Sequence, residues 1–219
     1  MIFIPIALIL FLFFILFLPI LFLMGYFGIV VVGFETLGIS PGNTFLLLFL
    51  ILIGSLINIP LTKKKLVVVQ EKRFFGLFSV PRIRAHYLAI NLGGAVIPSL
   101  LSLYFLFLVQ KQGLGLSSVF IAIFLMTLVS YRLSRIVPGK GIVLPSLIPP
   151  IFSALLALIL APQFTAPCAF IAGTLGTLIG ADLLNLKRIR NYQGFLSVGG
   201  AGVFDGIFLV GVISTLLSG

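Results

Sequence analysis

The chain has few acidic residues, and two of them stand where lipid should exclude charge. The acidic residues of the 219-residue chain are Glu35, Glu71, Asp182 and Asp205. Glu35 falls in a turn and Glu71 among lysines, so we expect both to be solvated. Asp182 and Asp205 each lie inside an apolar run, where an ionised side chain at the centre of a span costs about 2.5–3.5 kcal/mol. We therefore interpret these two aspartates as candidate functional residues.

The spacing of Asp182 and Asp205 predicts a carboxyl pair on adjacent antiparallel spans. Counted from Lys187, Asp182 lies ~8 Å inside its span, and counted from Gly194, Asp205 lies ~16 Å inside the next. No Lys or Arg falls in the central part of any span. Two close carboxyls in a low dielectric cannot both ionise, so they would share a proton. That state serves aspartic proteolysis, in which one carboxylate activates water while its protonated partner polarises the scissile carbonyl, and it also serves a proton-coupled carrier.

Small and amide residues surround both aspartates. The glycines either pack helices closely or let backbone line a cavity. The asparagines fall at predicted span ends, where they either cap helices or bind a ligand. The glycines are Gly173, Gly176, Gly180, Gly199, Gly200, Gly202 and Gly206, and the asparagines are Asn58, Asn91 and Asn185.

The elements that must position these residues are membrane helices. The chain is 61% apolar and 8% charged, with a mean hydropathy of +1.34. A soluble domain carries about 25% charged residues, so this chain needs lipid as its solvent. Its apolar stretches predict an all-α, polytopic fold in one transmembrane domain over residues 1–219. The seven predicted spans are Ile4–Val32, Asn43–Leu61, Leu88–Leu108, Val119–Leu133, Ile142–Leu160, Ala166–Leu186 and Phe195–Leu217.

The distribution of charge predicts orientation rather than nucleic-acid binding. The net charge is +10, and all of the 14 Lys and Arg residues except Lys111 fall on alternate loops. Such loops face the cytoplasm, so the N-terminus is inside and the C-terminus outside the plasma membrane. The largest basic loop, at about residues 62–87, is predicted to form a hairpin or to lie in the membrane interface. Anionic lipid headgroups are a possible partner of this loop.

Two further observations limit the site. One Cys and one His give too few ligands for a zinc or iron–sulfur centre, so we expect no metal and no cofactor. Pro145, Pro149 and Pro150 lack backbone donors, which predicts a break or extended segment around Val143–Pro150, lining the same cavity as the aspartates.

Four segments of the sequence resemble a known family. NLGGAVIP (Asn91–Pro98), VPGKGIVLP (Val137–Pro145), GADLLNL (Gly180–Leu186) and GGAGVFDGIFL (Gly199–Leu209) look like small prokaryotic multi-pass proteins catalogued as a domain of unknown function. This resemblance covers about three quarters of the chain and implies a prokaryotic cell membrane but no activity.

A second resemblance suggests an activity. One aspartate late on a span and another after a glycine cluster on the next are similar to the GxGD intramembrane aspartyl proteases, the presenilin, signal peptide peptidase and prepilin peptidase group. It implies catalysis by Asp182 and Asp205 on membrane-embedded peptides. Val143, Leu144 and Pro145 resemble the Pro-Ala-Leu element of that group, but precede the aspartates instead of following them. GAGVFD has two residues more than GxGD between glycine and aspartate, and only 22 residues separate the aspartates.

Three functions follow as hypotheses. The first is an aspartyl protease with the Asp182–Asp205 pair as catalytic residues. Its substrate-binding residues would be Gly200, Gly202, Val143, Leu144, Pro145, Asn91 and Asn185. The second is a proton-coupled transporter or channel that uses the same aspartates. The third is a non-catalytic membrane scaffold or lipid-binding protein.

The charge distribution leads to a test of topology. A reporter fused after Gly219 should read extracytoplasmic, and one inserted near Lys72 should read cytoplasmic, because five predicted spans, an odd number, lie between the two positions. Alkaline phosphatase and fluorescent protein fusions measure the two sides. Finding both reporters on the same side would contradict seven spans.

Overall fold

The computed structural model shows a helical bundle with a small sheet at one end. The structure describes residues 38–63, 65–73, 78–113, 115–137, 141–145, 147–189 and 195–200, with positions 15, 18, 25, 28, 31, 32, 34, 35, 211 and 213. Most of predicted span Ile4–Val32 and most of Phe195–Leu217 therefore lie outside the described residues.

Most of the described residues are helical. Three of the helices are long and apolar enough to cross a membrane, Leu92–Lys111, Leu116–Leu133 and Thr165–Leu183, and two more are apolar but shorter. These helices indicate a membrane protein. The bounds are α1 Pro41–Ser55, π-helical turn π1 Leu92–Val96, α2 Ile97–Lys111, α3 Leu116–Leu133, α4 Ile148–Leu160, α5 Thr165–Thr177, π-helical turn π2 Leu178–Leu183, and α6 Leu186–Ile189.

Helix α5 with π2 forms the centre of the bundle. Of its most apolar stretch 67% is buried, against 39% for π1 with α2 and 28% for α3. The aromatic ring of Phe170 on α5 contacts Phe105 on α2, with centroids 5.3 Å apart, and Phe34, at 6.1 Å. The end of α5, and π2 after it, are therefore packed against several neighbouring elements.

Strands follow or precede the helices at one end of the bundle. In the long strand β3, Ile90 pairs with both Ile59 and Val198, so β1 and β6 lie on opposite edges of β3. β2 pairs antiparallel with β3, and β6 runs parallel to it. β4 and β5 form a separate antiparallel hairpin. The bounds are β1 Asn58–Pro60, β2 Lys65–Arg73, β3 Phe78–Asn91, β4 Arg135–Val137, β5 Gly141–Val143 and β6 Phe195–Val198.

We name the part of the bundle that carries these strands the sheet end. Helices α1 and α3 end there, and α2 begins there. Exposed Lys63, Arg132, Arg135 and Arg188 lie at this end, whereas exposed Lys111 lies at the opposite one. The connections at the opposite end are short, since α2 and α3 are separated by residues 112–115 alone.

The strands correct the expectation of an all-α chain. Predicted spans Asn43–Leu61 and Leu88–Leu108 contain β1 and the end of β3, and predicted span Phe195–Leu217 begins with β6. The physical reason is that a short apolar run fits a buried strand as well as a helix, and hydropathy alone does not separate them. The hairpin alternative for the basic loop is confirmed, because β2 and β3 pair over its length.

The proline-rich segment is extended in part. β5 and the coil at Leu144–Pro145 confirm an extended stretch before α4. Pro149 and Pro150, however, lie in the first turn of α4 instead of breaking a helix. A first turn tolerates proline because its N–H groups have no partner within the helix.

Helix α1 crosses the start of α2 with backbone against backbone. A Cβ placed on Gly93 of π1 would overlap the Ile51 carbonyl oxygen and the Ser55 nitrogen of α1, and one on Gly54 would lie 3.0 Å from the Gly93 nitrogen. Small residues permit such close approach between membrane helices. This crossing fixes where β1 leaves α1 and where β3 enters π1.

Replacing Gly93 with alanine should therefore destabilise the protein. Neither clashing atom belongs to a flexible side chain, so the helices must separate, at a cost of about 1–3 kcal/mol. Gly42→Ala is the matched control, since a Cβ there meets nothing within 4 Å. Thermal unfolding in detergent measures both variants, and an equal midpoint for the two would contradict the crossing.

Candidate functional site

Asp182 lies in π2, at the sheet end of the central helix. Its Oδ2 accepts a hydrogen bond of 2.7 Å from the backbone N–H of Gly199, which directly follows β6. The side chain is half-buried. π-Helical turns are uncommon and occur often at functional sites. One of the two predicted catalytic residues is thus placed at a junction between helix and sheet.

Gly199 meets two constraints that exclude other residues. Its φ is +78°, in the left-handed region that favours glycine, and Gly200 follows at +76°. A Cβ on Gly199 would also lie 2.5 Å from the Ala95 Cβ and 2.7 Å from the Ala95 nitrogen. Gly199 is therefore held between the Asp182 carboxylate and the backbone of π1.

Asn91 ties π1 to the neighbouring strand and helix. Its Oδ1 accepts from Gly94 N–H at 2.7 Å, while its Nδ2 donates to the Ser55 carbonyl at 2.7 Å and to Asn58 Oδ1 at 3.2 Å. Ser197 on β6 donates to the same Asn58 oxygen at 2.6 Å. The capping role expected for Asn91 is confirmed, and its role in substrate binding stays a prediction.

Asn185 performs a similar function on the other side of Asp182. Its Nδ2 donates to the Ala181 carbonyl at 2.9 Å, to the Gly180 carbonyl at 3.3 Å and to Ser134 Oγ at 2.9 Å. This side chain therefore closes π2 and joins it to the end of α3. The Asn185 side chain is 1% exposed, so these hydrogen bonds are shielded from solvent.

Helix α3 packs closely against the end of α5 and the start of π2, in the turns that precede Asn185. A Cβ on Gly180 would overlap the Thr127 carbonyl oxygen, and one on Gly176 would lie 2.6 Å from the Met126 Cβ. Ser130 and Thr177 face each other across this contact with hydroxyl oxygens 3.4 Å apart. The packing interpretation of Gly176 and Gly180 is confirmed.

Asp205 and Gly202 lie outside the described residues. Described positions precede and follow them, at Gly200 beside the site and at Gly211. A Cβ on Gly211 would lie 2.5 Å from Thr174 Oγ1 and 3.1 Å from the Phe170 ring, so the chain returns to α5 there. The distance from Asp182 to Asp205 therefore stays a prediction.

Val143, Leu144 and Pro145 lie at the sheet end, in and directly after the β4–β5 hairpin, which is separate from the sheet that contains β6. Val143 pairs with Arg135 at the end of α3 and is exposed, Leu144 is half-buried and Pro145 is exposed. Their role as substrate-binding residues stays a prediction.

Sequence reasoning missed two features of this site. It did not find Ser197, because a serine in an apolar stretch carries no signal of its own. It also did not find the π-helical turns, because glycines alone do not distinguish them from an α-helix, and α5 likewise contains Gly173 and Gly176.

The described part of this site offers the carboxyl group of Asp182, which accepts a backbone hydrogen bond from Gly199. Among the described residues no cluster of three or more His, Cys, Asp or Glu could hold a metal ion. The Gly199 N–H orients one oxygen of the Asp182 carboxyl group through this hydrogen bond of 2.7 Å.

The comparisons with known proteins give one match. A family model described as "Protein of unknown function (DUF1614)" matches residues 52–217. The comparisons with curated proteins and with solved structures return no match. Three of the segments that carry the resemblance noted above, beginning at Asn91, Gly180 and Gly199, meet at Asp182 and π1.

Asn185 provides a test of the site's construction. In Asn185→Asp a carboxylate would replace the amide donor and face two carbonyl oxygens, so we expect a loss of about 1–3 kcal/mol of stability. Asn43→Asp is the control, because Asn43 is exposed on α1. Thermal unfolding in detergent compares them, and a tolerated Asn185→Asp would mean that Asn185 does not close π2.

Proposed function

The chain belongs to the DUF1614 family of proteins of unknown function, and we propose that it is an intramembrane aspartyl protease with Asp182 and Asp205 as its catalytic pair. The observation that carries the proposal is the hydrogen bond from Gly199 N–H to Asp182 Oδ2. It fixes the start of the segment that contains Asp205 directly beside the first aspartate. If the chain after Gly199 is helical, Asp205 lies ~9 Å along the helix axis from Gly199. Over that distance the side chains of Asp182 and Asp205 can reach each other.

The proposed reaction is hydrolysis of a peptide bond by general acid–base catalysis. One carboxylate takes a proton from water as the water oxygen attacks the scissile carbonyl carbon, and the protonated partner donates its proton to the carbonyl oxygen. The carboxyl that took the proton from water then donates it to the nitrogen, and the other carboxylate takes a proton from a hydroxyl of the tetrahedral intermediate as the C–N bond breaks and the amine leaves. Asp182 and Asp205 then share one proton again.

The substrates would be membrane peptides that unwind near the sheet end. In the described part of the chain β6 pairs along one edge, with β3, and β6 leads directly to Gly199 beside Asp182. An extended peptide paired with the second edge of β6 would receive main-chain hydrogen bonds and lie near the carboxylate. We propose that the sheet end faces the cytoplasm of a prokaryotic cell, within seven spans, because the exposed cations lie there.

A second candidate function, proton-coupled transport, is favoured by a different observation. Thr174 Oγ1 is buried in α5 and has no hydrogen-bond partner in the part of the chain that the structure describes. Thr177 follows one helical turn closer to Asp182 and faces Ser130. Hydroxyls in this order could hold water or a cation between the bundle interior and Asp182.

Single replacements of each aspartate separate these functions. In Asp182→Asn and Asp205→Asn the neutral amide retains the shape of a protonated carboxyl, so we expect cleavage to fall at least ~100-fold while folding is retained. Glu35→Gln is the matched control, since it removes one carboxylate from an exposed position. Cleavage of a transmembrane reporter peptide, proton uptake by liposomes and thermal stability in detergent are measured together.

The three readouts give different answers for the three functions. Lost cleavage with retained stability supports the protease. Lost proton uptake without cleavage in any variant supports the carrier and contradicts the protease. Lower stability of Asp182→Asn with neither activity in the wild type identifies a structural aspartate, held by the Gly199 N–H.

A further inference from the structure

The β2–β3 hairpin has a basic face that its register defines. Its residues pair one to one from Lys65 with His86 to Arg73 with Phe78. Successive residues of a strand alternate between the two faces of a sheet. Lys65, Arg82, Arg84 and His86 therefore share one face in the half nearer the bundle, and we name these four residues the basic face. Lys72 lies on the opposite face.

No acidic residue lies directly opposite a member of the basic face. Lys65 is paired with His86, whereas Arg84 and Arg82 are paired with Val67 and Val69. The acid of the hairpin, Glu71, is paired with Val80, so it lies on the same face, diagonal to Arg82 and farther from the bundle than the basic face. Like charges that are neighbours on one face of a sheet destabilise it. One acid against Lys65, Arg82 and Arg84 leaves an excess of positive charge on this face, which an anion from outside the hairpin would balance.

The position of the hairpin indicates where that anion is. Strand β3 continues without interruption into π1 at Leu92, so the basic face begins ~20 Å along the strand from the start of a membrane helix. The opposite face carries Leu66, Val68, Ile83 and Ala85 in the same half of the hairpin. An amphipathic helix with such faces lies in the membrane interface, with its apolar face at the acyl boundary and its cations at the headgroups, and a hairpin with the same two faces can partition in the same way.

We propose that the β2–β3 hairpin lies on the membrane surface and that its basic face binds the phosphates of anionic phospholipids. This site is separate from Asp182 and does not depend on the proposed protease activity. Near an anionic membrane surface each Lys or Arg strengthens binding by about fivefold. Arg82 and Arg84 should therefore give the chain a preference for anionic over zwitterionic lipid.

The test compares equal charge losses on the two faces of one hairpin. The full chain in a neutral detergent is titrated with phosphatidylglycerol or phosphatidylcholine, and the shift of its thermal midpoint gives an apparent affinity for each lipid. The preference for phosphatidylglycerol should fall about fivefold in Arg82→Gln and in Arg84→Gln. Lys72→Gln, with the same loss of charge on the other face, should leave it unchanged. Arg84→Lys should retain it and shows that the hairpin tolerates replacement there.

Three results would overturn the proposal. A wild type that binds both lipids equally has no anionic preference to explain. An equal loss in Lys72→Gln would mean that net charge, and not one face, attracts the lipid. An equal midpoint shift from inorganic phosphate at the same concentration would identify a free anion as the ligand.

Discussion

The hydrogen bond between the Gly199 N–H and the Asp182 carboxylate joins the two halves of this structure. It links the central helix, through π2, to the strand β6 that pairs with β3. Within or near hydrocarbon a backbone group without a partner costs several kcal/mol, so every transition from helix to strand must supply partners for the groups it releases. At this transition the partner is a side-chain oxygen of Asp182, so the hydrogen bond also places a carboxyl group at the junction.

Amide side chains solve the same problem at the neighbouring transitions. Asn91 satisfies groups of α1, β1 and π1 where β3 becomes helical, and Asn185 satisfies the carbonyls at the end of π2. An amide carries both donors and an acceptor, so one residue can serve several elements. Glycines at 93, 180 and 199 let these elements approach closely enough for the hydrogen bonds to form.

Composition and hydropathy predicted the membrane class and spans that overlap the helices from Leu92, Leu116 and Thr165, and the hairpin was one of two alternatives for the basic loop. The strands β1 and β6 were not predicted, because their few apolar residues continue neighbouring apolar runs and are indistinguishable by hydropathy. Asp182, Asn91 and Asn185 could be singled out by their polarity in apolar surroundings. Their hydrogen bonds could not be predicted, since Ser134 lies far from Asn185 and Gly199 far from Asp182 in the sequence, and only the fold brings each pair together.

The central claim is that Asp182 and Asp205 form one site, and a cross-linking measurement tests it most directly. Cysteines at positions 182 and 205, in a chain whose buried Cys168 is replaced by serine, would be treated with a thiol cross-linker of ~10 Å, the longest separation at which both groups could share one water and one carbonyl. The account predicts efficient cross-linking of this pair and none between position 182 and a cysteine at Gly38, at the opposite end of the bundle. Failure of the 182–205 pair to cross-link in a chain that remains folded would contradict it.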